Sequence, residues 1–312
     1  WLGNIRKDYF ILIAVTIVLL IAGGFQISGF VTFRHQMALF RRNAIVGILA
    51  LAQTIAILSA GIDLSVGANM TFLAVMGAAL MGSMGSFLVP LLIVLALGVV
   101  LGLINGFGIG YIGLPPIVMT LGVMTAISGV TLLYTGGSAT GQAAPILRSF
   151  AMNTVGGIPI MGLFWVILTI IMWFILRKTR FGRSVYAFGS NPQSSFFSGV
   201  QTKRIAILVY VLGGFITAIA GLVNLGWINT PYMGVAPAGI GMNYLLSSLA
   251  VVVIGGTTFR GGEGGVIGTF IATFLYGILQ SLLTALALGS AGIRIITGII
   301  IVGVIVARKR LG

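Results

Sequence analysis

The chain has 312 residues, of which 58% are hydrophobic and only 6% are charged. A soluble domain carries about 25% charged residues, so this chain cannot cover its surface with water-compatible groups and is predicted to be an integral membrane protein. Its net charge of +14 does not indicate nucleic-acid binding, because basic residues at the ends of apolar segments anchor a chain at the surface of the lipid membrane. The chain has no cysteine and one histidine, which excludes disulfides and thiolate metal sites.

The apolar segments predict the fold class: an all-α integral membrane protein, with residues 1–312 forming one transmembrane domain of about ten helices. A helical span takes about 20 apolar residues. The eighth segment is short, so we expect it either to begin earlier, near Gly239, or to be a half-helix. The ten segments are Tyr9–Gly24, Ala44–Ala60, Val66–Met84, Phe87–Tyr111, Pro116–Tyr134, Ile160–Leu176, Ile205–Leu225, Tyr244–Gly256, Val266–Leu288 and Ile293–Ala307.

The basic residues predict the orientation of these spans. With the N-terminus inside, most Lys and Arg residues lie on the cytoplasmic side, which favours cytoplasmic N- and C-termini. Arg34, Arg41 and Arg42 fall on the outer side against this trend. Either residues 30–42 form an amphipathic segment at the interface, or the span assignment is wrong near the N-terminus.

Residues 63–69 contain an ionisable group between two apolar runs. Asp63 either caps the start of the third span, with Ser65 helping, or lies in a turn that enters the membrane beside a polar path. Asn69 and Asn105 fall within or near spans, where an amide either bonds to a neighbouring helix or contacts a polar solute.

The largest polar loop, residues 177–204, carries six basic residues and no acid, so it is predicted to be cytoplasmic. Between Pro192 and Gly199 there is room for one short helix, with Asn191 as its N-cap and Pro192 at its first position. The loop either only sets the topology or also forms a docking surface for a soluble partner.

Residues 255–268 contain seven glycines, but no Lys follows them as a phosphate-binding loop requires. We expect a tight connection where backbones pack closely. Nucleophile–base pairs, carboxylate pairs and metal-ligand clusters cannot be assembled from this chain, so we predict no catalytic residues, no bound metal, no cofactor and no enzymatic activity of its own.

Several motifs resemble those of the ribose-type permeases of bacterial ABC importers. Residues 61–67 read GIDLSVG, and residues 179–191 read TRFGRSVYAFGSN, followed by Ser198-Gly199. Residues 253–257, VIGGT, are followed by further glycines, and Asn105-Gly106 and residues 116–122 also fit. These motifs span about residues 43–268 in the order of the family.

The resemblance implies a permease subunit in the bacterial cytoplasmic (inner) membrane that forms the path for a sugar or sugar-like solute. It implies ATPase subunits that carry ATP and Mg²⁺, a second permease, identical or related, and a solute-binding protein that is periplasmic or lipid-anchored. Residues 191–199 would form the coupling helix. The implied coupling residues are Arg180, Arg183, Asn191, Gln193, Ser194, Ser195, Ser198 and Gly199; the candidate path residues are Asp63, Ser65, Asn69 and Asn105.

The chain departs from the family pattern at two places. Residues 242–250 lack the usual acid, and Ser128-Gly129 replaces the usual Arg-Gly after the fifth-span motif. These departures leave autoinducer-2, inositol and nucleosides open as solutes and allow a heterodimer of permeases. From other classes, an ion-coupled secondary transporter would depend on Asp63 as its coupling group, and a channel or scaffold would show no solute-stimulated ATPase activity.

Overall fold

The computed structural model of the chain describes residues 2–84, 86–231 and 239–286, with single positions at 289, 292, 295, 296, 298 and 299. Helices account for almost all regular structure in these residues. The helices are α1 (Leu2–Gln26), α2 (Phe33–Leu58), α3 (Val66–Met84), α4 (Leu88–Phe107), α5 (Pro116–Thr135), α6 (Pro145–Met152), α7 (Ile160–Lys178), α8 (Arg180–Ser190), α9 (Pro192–Phe197), α10 (Thr202–Ile228), α11 (Gly239–Ile254) and α12 (Val266–Ala285). A π-helical turn, Gly108–Ile112, extends α4, and strands β1 (Thr154–Val155) and β2 (Ile158–Pro159) form a small antiparallel hairpin.

The membrane character of the fold is confirmed. Within the described residues, eight helices are long and apolar enough to cross a bilayer, and α11 supplies a shorter apolar helix. Helix α11 begins at Gly239, which is the earlier start that the sequence allowed. The tenth predicted span, Ile293–Ala307, falls largely outside the described residues. The count of ten spans and the cytoplasmic position of both termini therefore stay predictions.

The basic segment before the second span is a continuous part of helix α2. Thr32 is the N-cap of this helix, and its hydroxyl accepts a hydrogen bond from the His35 amide at 3.4 Å. Of the two alternatives for residues 30–42, the structure favours a wrong span assignment near the N-terminus, because the second span begins at Phe33 and not at Ala44. The first three turns of α2 carry polar side chains on one side and the buried Leu39 and Phe40 on the other. The same helix therefore continues into the core.

Helix α10 lies at the centre of the packing, against α2, α3 and α4. Gly98, Gly102 and Gly106 of α4 recur every four residues and face it. A Cβ at Gly102 would lie 2.8 Å from the Cα of Val211, so the two backbones touch without side chains between them. Small residues allow such close approach in lipid, where dispersion contacts replace the hydrophobic effect between helices.

Helix α2 connects the two ends of the molecule. Near its start, Phe33 approaches the β1–β2 hairpin at Gly157. At its other end, Leu58 meets α8 and the loop of residues 255–265. The polar loop 177–204 and the glycine-rich loop therefore belong to one end of the bundle, and the hairpin belongs to the opposite end.

Candidate functional site

Helix α8 was not predicted, although its sequence carries the signals for a helix. The hydroxyl of Thr179, its N-cap, accepts a hydrogen bond from the Gly182 amide at 3.2 Å. Gly182, Val185 and Gly189 recur at helical spacing and form its buried face. The opposite face is polar and includes exposed Arg180 and Arg183. Helix α8 therefore lies against the ends of the spans with its basic side outward.

The buried end of α8 takes part in a contact between three backbone segments, which we call the glycine junction: Leu58–Ala60, Gly189–Ser190 and Gly261–Gly262. The Gly262 amide donates a hydrogen bond to the Leu58 carbonyl at 2.9 Å. A Cβ at Gly189 would lie 2.7 Å from the nitrogen of Gly262 and closer still to the oxygen of Leu58. Gly261 and Gly262 adopt φ of +78° and +71°, which favours glycine. The prediction of a closely packed glycine connection is confirmed.

Tyr186 holds α8 to the same loop. Its hydroxyl donates a hydrogen bond to the Gly264 carbonyl at 3.0 Å, and the Arg177 guanidinium lies 5.3 Å from the centre of its ring. Burial raises the pKa of the Tyr186 hydroxyl, and the positive charge of Arg177 opposes that shift. The hydroxyl therefore stays protonated and remains a donor to the loop.

Helix α9 follows directly and has the predicted start. The side-chain oxygen of Asn191 accepts a hydrogen bond from the Ser194 amide at 2.9 Å, and Pro192 occupies the first turn. The helix exposes Phe196 and Phe197, at 63% and 77% of their surfaces, and their rings contact each other edge to face. Sequence reasoning missed this pair, although two adjacent aromatic residues in a polar loop are a signal for a docking surface.

The predicted coupling residues do not all lie on the outer surface. Ser195 is buried on the inner face of α9, where it cannot reach a partner. The others are exposed: Arg180, Arg183, Asn191, Gln193, Ser194, Ser198 and Gly199. Together with the two phenylalanines they form a basic and aromatic surface at this end of the bundle. Their role in coupling stays a prediction.

The four candidate path residues form one hydrogen-bond network. One carboxylate oxygen of Asp63 accepts from the amide of Ser65 at 2.8 Å and from its hydroxyl at 2.5 Å. The Ser65 hydroxyl oxygen accepts in turn from the side-chain amides of Asn69 and Asn105, each at 2.9 Å. All four residues are buried. The network joins the turn before α3 to α3 itself and to α4.

The network excludes one of the two roles considered for Asp63, that of N-cap of the third span. Helix α3 begins at Val66, and the Asp63 carboxylate bonds to Ser65 in the turn before the helix, so it is not the N-cap. Burial raises the pKa of the Asp63 carboxyl, and the hydrogen bonds from Ser65 oppose this shift. Burial thus favours the neutral form of this acid.

Helices α5 and α10 also reach the Asp63 turn. The Thr120 hydroxyl of α5 lies between the Leu64 amide, at 3.1 Å, and the Ile62 carbonyl, at 3.2 Å. The Tyr210 side chain of α10 lies against Gly61, and its buried hydroxyl has no hydrogen-bond partner in the described structure. The Asp63 turn is thus a point where four membrane helices, α3, α4, α5 and α10, meet. Because its polar groups are covered by protein, they do not line an open path in this conformation, and their assignment to a path stays a prediction.

The described residues hold no group of three or more His, Asp or Glu side chains that could bind a metal ion.

Comparison with known proteins places this arrangement in context. The family described as "Branched-chain amino acid transport system / permease component" matches residues 37–307. The chain is 36% identical to the ribose import permease protein of Bacillus subtilis (strain 168), over 87% of this chain and 84% of that one.

Two further relatives differ in what their names say they transport. The chain is 31% identical to the D-allose transport system permease protein of Escherichia coli (strain K12), over 86% of this chain and 81% of the relative. It is 30% identical to the autoinducer 2 import system permease protein of Salmonella choleraesuis (strain SC-B67), over 96% of this chain and 85% of the relative. No solved structure matches the chain.

Proposed function

Because this chain belongs to the family of permease components that includes the sugar permeases of ABC importers, we propose that α9 docks on a cytoplasmic ATPase subunit and that the glycine junction passes its movement to the spans. The chain is the multi-pass membrane permease of a sugar importer of this class. ATP is hydrolysed by other subunits in this proposal, and the chain supplies the membrane path.

One observation carries the docking proposal: two exposed aromatic side chains lie on a capped helix that adjoins a basic surface. Phe196 and Phe197 would bury apolar area in a groove of the ATPase, and Arg180 and Arg183 would pair with acids around it. Buried aromatic anchors carry much of the energy of such interfaces, whereas exposed charges at the rim mainly guide association.

The proposed path of movement starts at α9 and runs through α8. Helix α8 contacts Leu58 and Gly262 at the glycine junction. From Leu58 the chain leads within a few residues to the Asp63 turn, which α3, α4, α5 and α10 all contact. A displacement of α9 would therefore reach four spans, and these spans would alternate between inward- and outward-open arrangements.

Helix α5 is proposed as the surface that contacts the second permease. Only 17% of its most apolar 18-residue window is buried in this chain. A Cβ at Gly122 or Gly129 would meet nothing within 4 Å, and Thr125 is exposed nearby. Both α5 and the similarly uncovered α1 expose large apolar side chains, such as Leu133 and Val18, but the described glycines of α1 are already packed against neighbours. Small residues suit a helix–helix contact. Oxidative cross-linking of a Gly122→Cys variant, with Val18→Cys as the control, tests this surface, and equal cross-linking of the two variants would reject it.

The proposed cargo is a sugar or sugar-like solute delivered by a separate binding protein. The matched relatives are named for ribose, allose and autoinducer 2 at similar identity, so identity alone does not select one of them. An ion-coupled mechanism is not favoured, because these relatives are importer permeases.

The docking proposal is tested by the double variant Phe196→Ser and Phe197→Ser in tagged chain from native membranes. We expect normal amounts of permease in the membrane, loss of the copurified ATPase and loss of ATP-driven uptake. The matched control is Phe25→Ser with Phe33→Ser, which removes two phenylalanines with exposed fractions of 87% and 62% at the opposite end. Retention of both ATPase and uptake in the first variant would reject the docking role of α9.

A further inference from the structure

A cavity of about 200 Å³ lies between α2, α11 and α12, at the end of the bundle opposite α8 and α9. A water molecule takes about 30 Å³ in the liquid, so the cavity has room for a group the size of about six waters. Its lining combines apolar surface with the polar residues Arg42, Asn43, Tyr244, Gln280, Ser281 and Thr284. Arg42 and Thr284 are exposed, which leaves the cavity open on their side.

Most polar groups of the lining already have partners within the protein. Tyr244 bonds to an asparagine of α10, Ser281 pairs with His35, and Thr284 donates to a carbonyl of its own helix. The Arg42 guanidinium has no hydrogen bond to any residue in the described ranges 2–84, 86–231 and 239–286. The cavity thus presents a cation whose donors are not used inside the chain.

Among the side chains that the structure describes, no carboxylate pairs with this cation. The whole sequence has only three acidic residues. All three lie at the far end of the bundle: Asp63 in the turn after α2, Glu263 in the loop before α12, and Asp8 next to Tyr9, which contacts Gly268 at the start of α12. Arg34 and Arg41 add two further positive charges to the same half of α2 as Arg42. A buried Nε of Arg41 also lacks an acceptor among the described residues.

The depth of Arg42 suits the headgroup region of a membrane. Helix α2 has 26 residues and is therefore about 39 Å long, about 9 Å more than the hydrocarbon core. If its Leu58 end lies at one boundary of the core, the other boundary falls about one turn before Arg42. A long arginine side chain reaches across that distance to the headgroups.

We propose that this cavity binds a phosphate group through Arg42 and Asn43. The planar guanidinium donates two parallel hydrogen bonds to phosphate oxygens, and the neighbouring asparagine amide can add a third. The phosphate belongs either to the headgroup of a membrane lipid or to a soluble phosphate ester. This site does not depend on the proposed docking of α9, because it lies at the other end of the molecule and involves none of the same residues.

The test measures ligand binding to the purified full-length chain in detergent by native mass spectrometry. Three probes are added in separate titrations: phosphatidylglycerol, diacylglycerol as a lipid without phosphate, and glycerol 3-phosphate as a soluble ester. We expect the wild-type chain to bind phosphatidylglycerol, glycerol 3-phosphate or both above the level of diacylglycerol. Lipid-only binding assigns the site to a headgroup, and ester binding without lipid assigns it to a soluble phosphate.

Arg42→Gln is compared with Arg34→Gln, which removes the same charge from an exposed position on the same helix outside the cavity. We expect Arg42→Gln to weaken phosphate binding about tenfold, Arg42→Lys to weaken it less, and Arg34→Gln to change it less than twofold. Equal binding by the Arg42→Gln and Arg34→Gln variants would overturn the proposal. So would a wild-type chain that binds neither phosphate probe better than diacylglycerol, and that result does not depend on how any variant folds.

Discussion

At the scale of single residues, Asp63 raises the question of whether its charge or its hydrogen bonds matter. Its carboxylate satisfies both donors of Ser65 in a buried turn, and burial favours its neutral form. Asparagine keeps one acceptor oxygen of the same shape and carries no charge. If Asp63 acts through hydrogen bonds, Asp63→Asn should preserve transport, whereas an ion-coupling group would lose function with this change.

We therefore expect Asp63→Asn to retain ATP-driven uptake and to unfold close to wild type. Asp63→Ala should lower the free energy of unfolding by about 1–3 kcal/mol, because it leaves buried donors of Ser65 without an acceptor. Thermal unfolding in detergent and uptake into vesicles measure the two effects. Loss of uptake in the asparagine variant at normal stability would instead point to the charge, and hence to the secondary-transporter alternative.

At Gly189, the close packing of backbone segments requires a residue without a side chain. Its Cβ position is occupied by backbone atoms of Leu58 and Gly262, which cannot move aside as a flexible side chain could. We predict that Gly189→Ala lowers the free energy of unfolding by about 1–3 kcal/mol through overpacking, although alanine favours helix in general.

The control for this prediction is Gly213→Ala in α10, where an added Cβ would meet only the carbonyl oxygen of Ala52, at an ordinary contact distance of 3.9 Å. This variant should be as stable as wild type or slightly more stable, because alanine has the higher helix propensity. Chemical or thermal unfolding of the purified chain compares the two. Equal free energies of unfolding for the two variants would mean that the backbone segments of the glycine junction can move apart without destabilising the chain.

At the scale of elements, the six-residue helix α9 is too short to be stable by itself and depends on its cap. Removal of an N-cap side chain costs about 1 kcal/mol, so Asn191→Ala should unfold α9 in a larger share of molecules and reduce uptake about fivefold. Asn191→Ser restores a capping oxygen and should recover most of the activity. Uptake and solute-stimulated ATPase activity measure both variants; identical rates in both would show that α9 need not be helical.

The elements also show how far sequence reasoning reached. The start of α9 was predictable because Asn191 and Pro192 form a local signal that no distant contact overrides. Helix α8 was missed because its two glycines suggested a loop. Only the structure shows that Gly182 packs against the end of α7 and that Gly189 packs against Leu58. The start of α2 was misassigned because three arginines resembled an interfacial segment, while the buried Leu39 and Phe40 between them continue the span.

The candidate site was predictable in its members more than in its arrangement. Polarity alone was enough to select the four residues Asp63, Ser65, Asn69 and Asn105. The role of Ser65 as their shared acceptor depends on the approach of α4, which no local sequence pattern predicts. No local pattern distinguishes Ser195 from Ser194 either, because both are serines of the same short helix. Ser195 is buried and Ser194 is exposed only because α9 directs their side chains differently.

At the scale of the whole molecule, cysteine labelling can test the orientation in the membrane. The chain has no native cysteine, so only the introduced thiol would react. Single substitutions Ser194→Cys in α9, Ser138→Cys in the loop after α5 and Arg308→Cys near the C-terminus each place one thiol. With a membrane-impermeant maleimide, we expect Ser138→Cys to react in intact cells and the other two only in inverted vesicles. Reaction of Arg308→Cys in intact cells would contradict a tenth span and a cytoplasmic C-terminus.

The glycine junction has a mechanical consequence for the transport cycle. Main-chain atoms in direct contact have no rotamers that could absorb a displacement, and packed protein has low compressibility. A connection made of long side chains would yield under the same push. If α9 docks on an ATPase as proposed, this linkage has little play, and a short displacement of α9 would reach the Asp63 turn nearly undiminished.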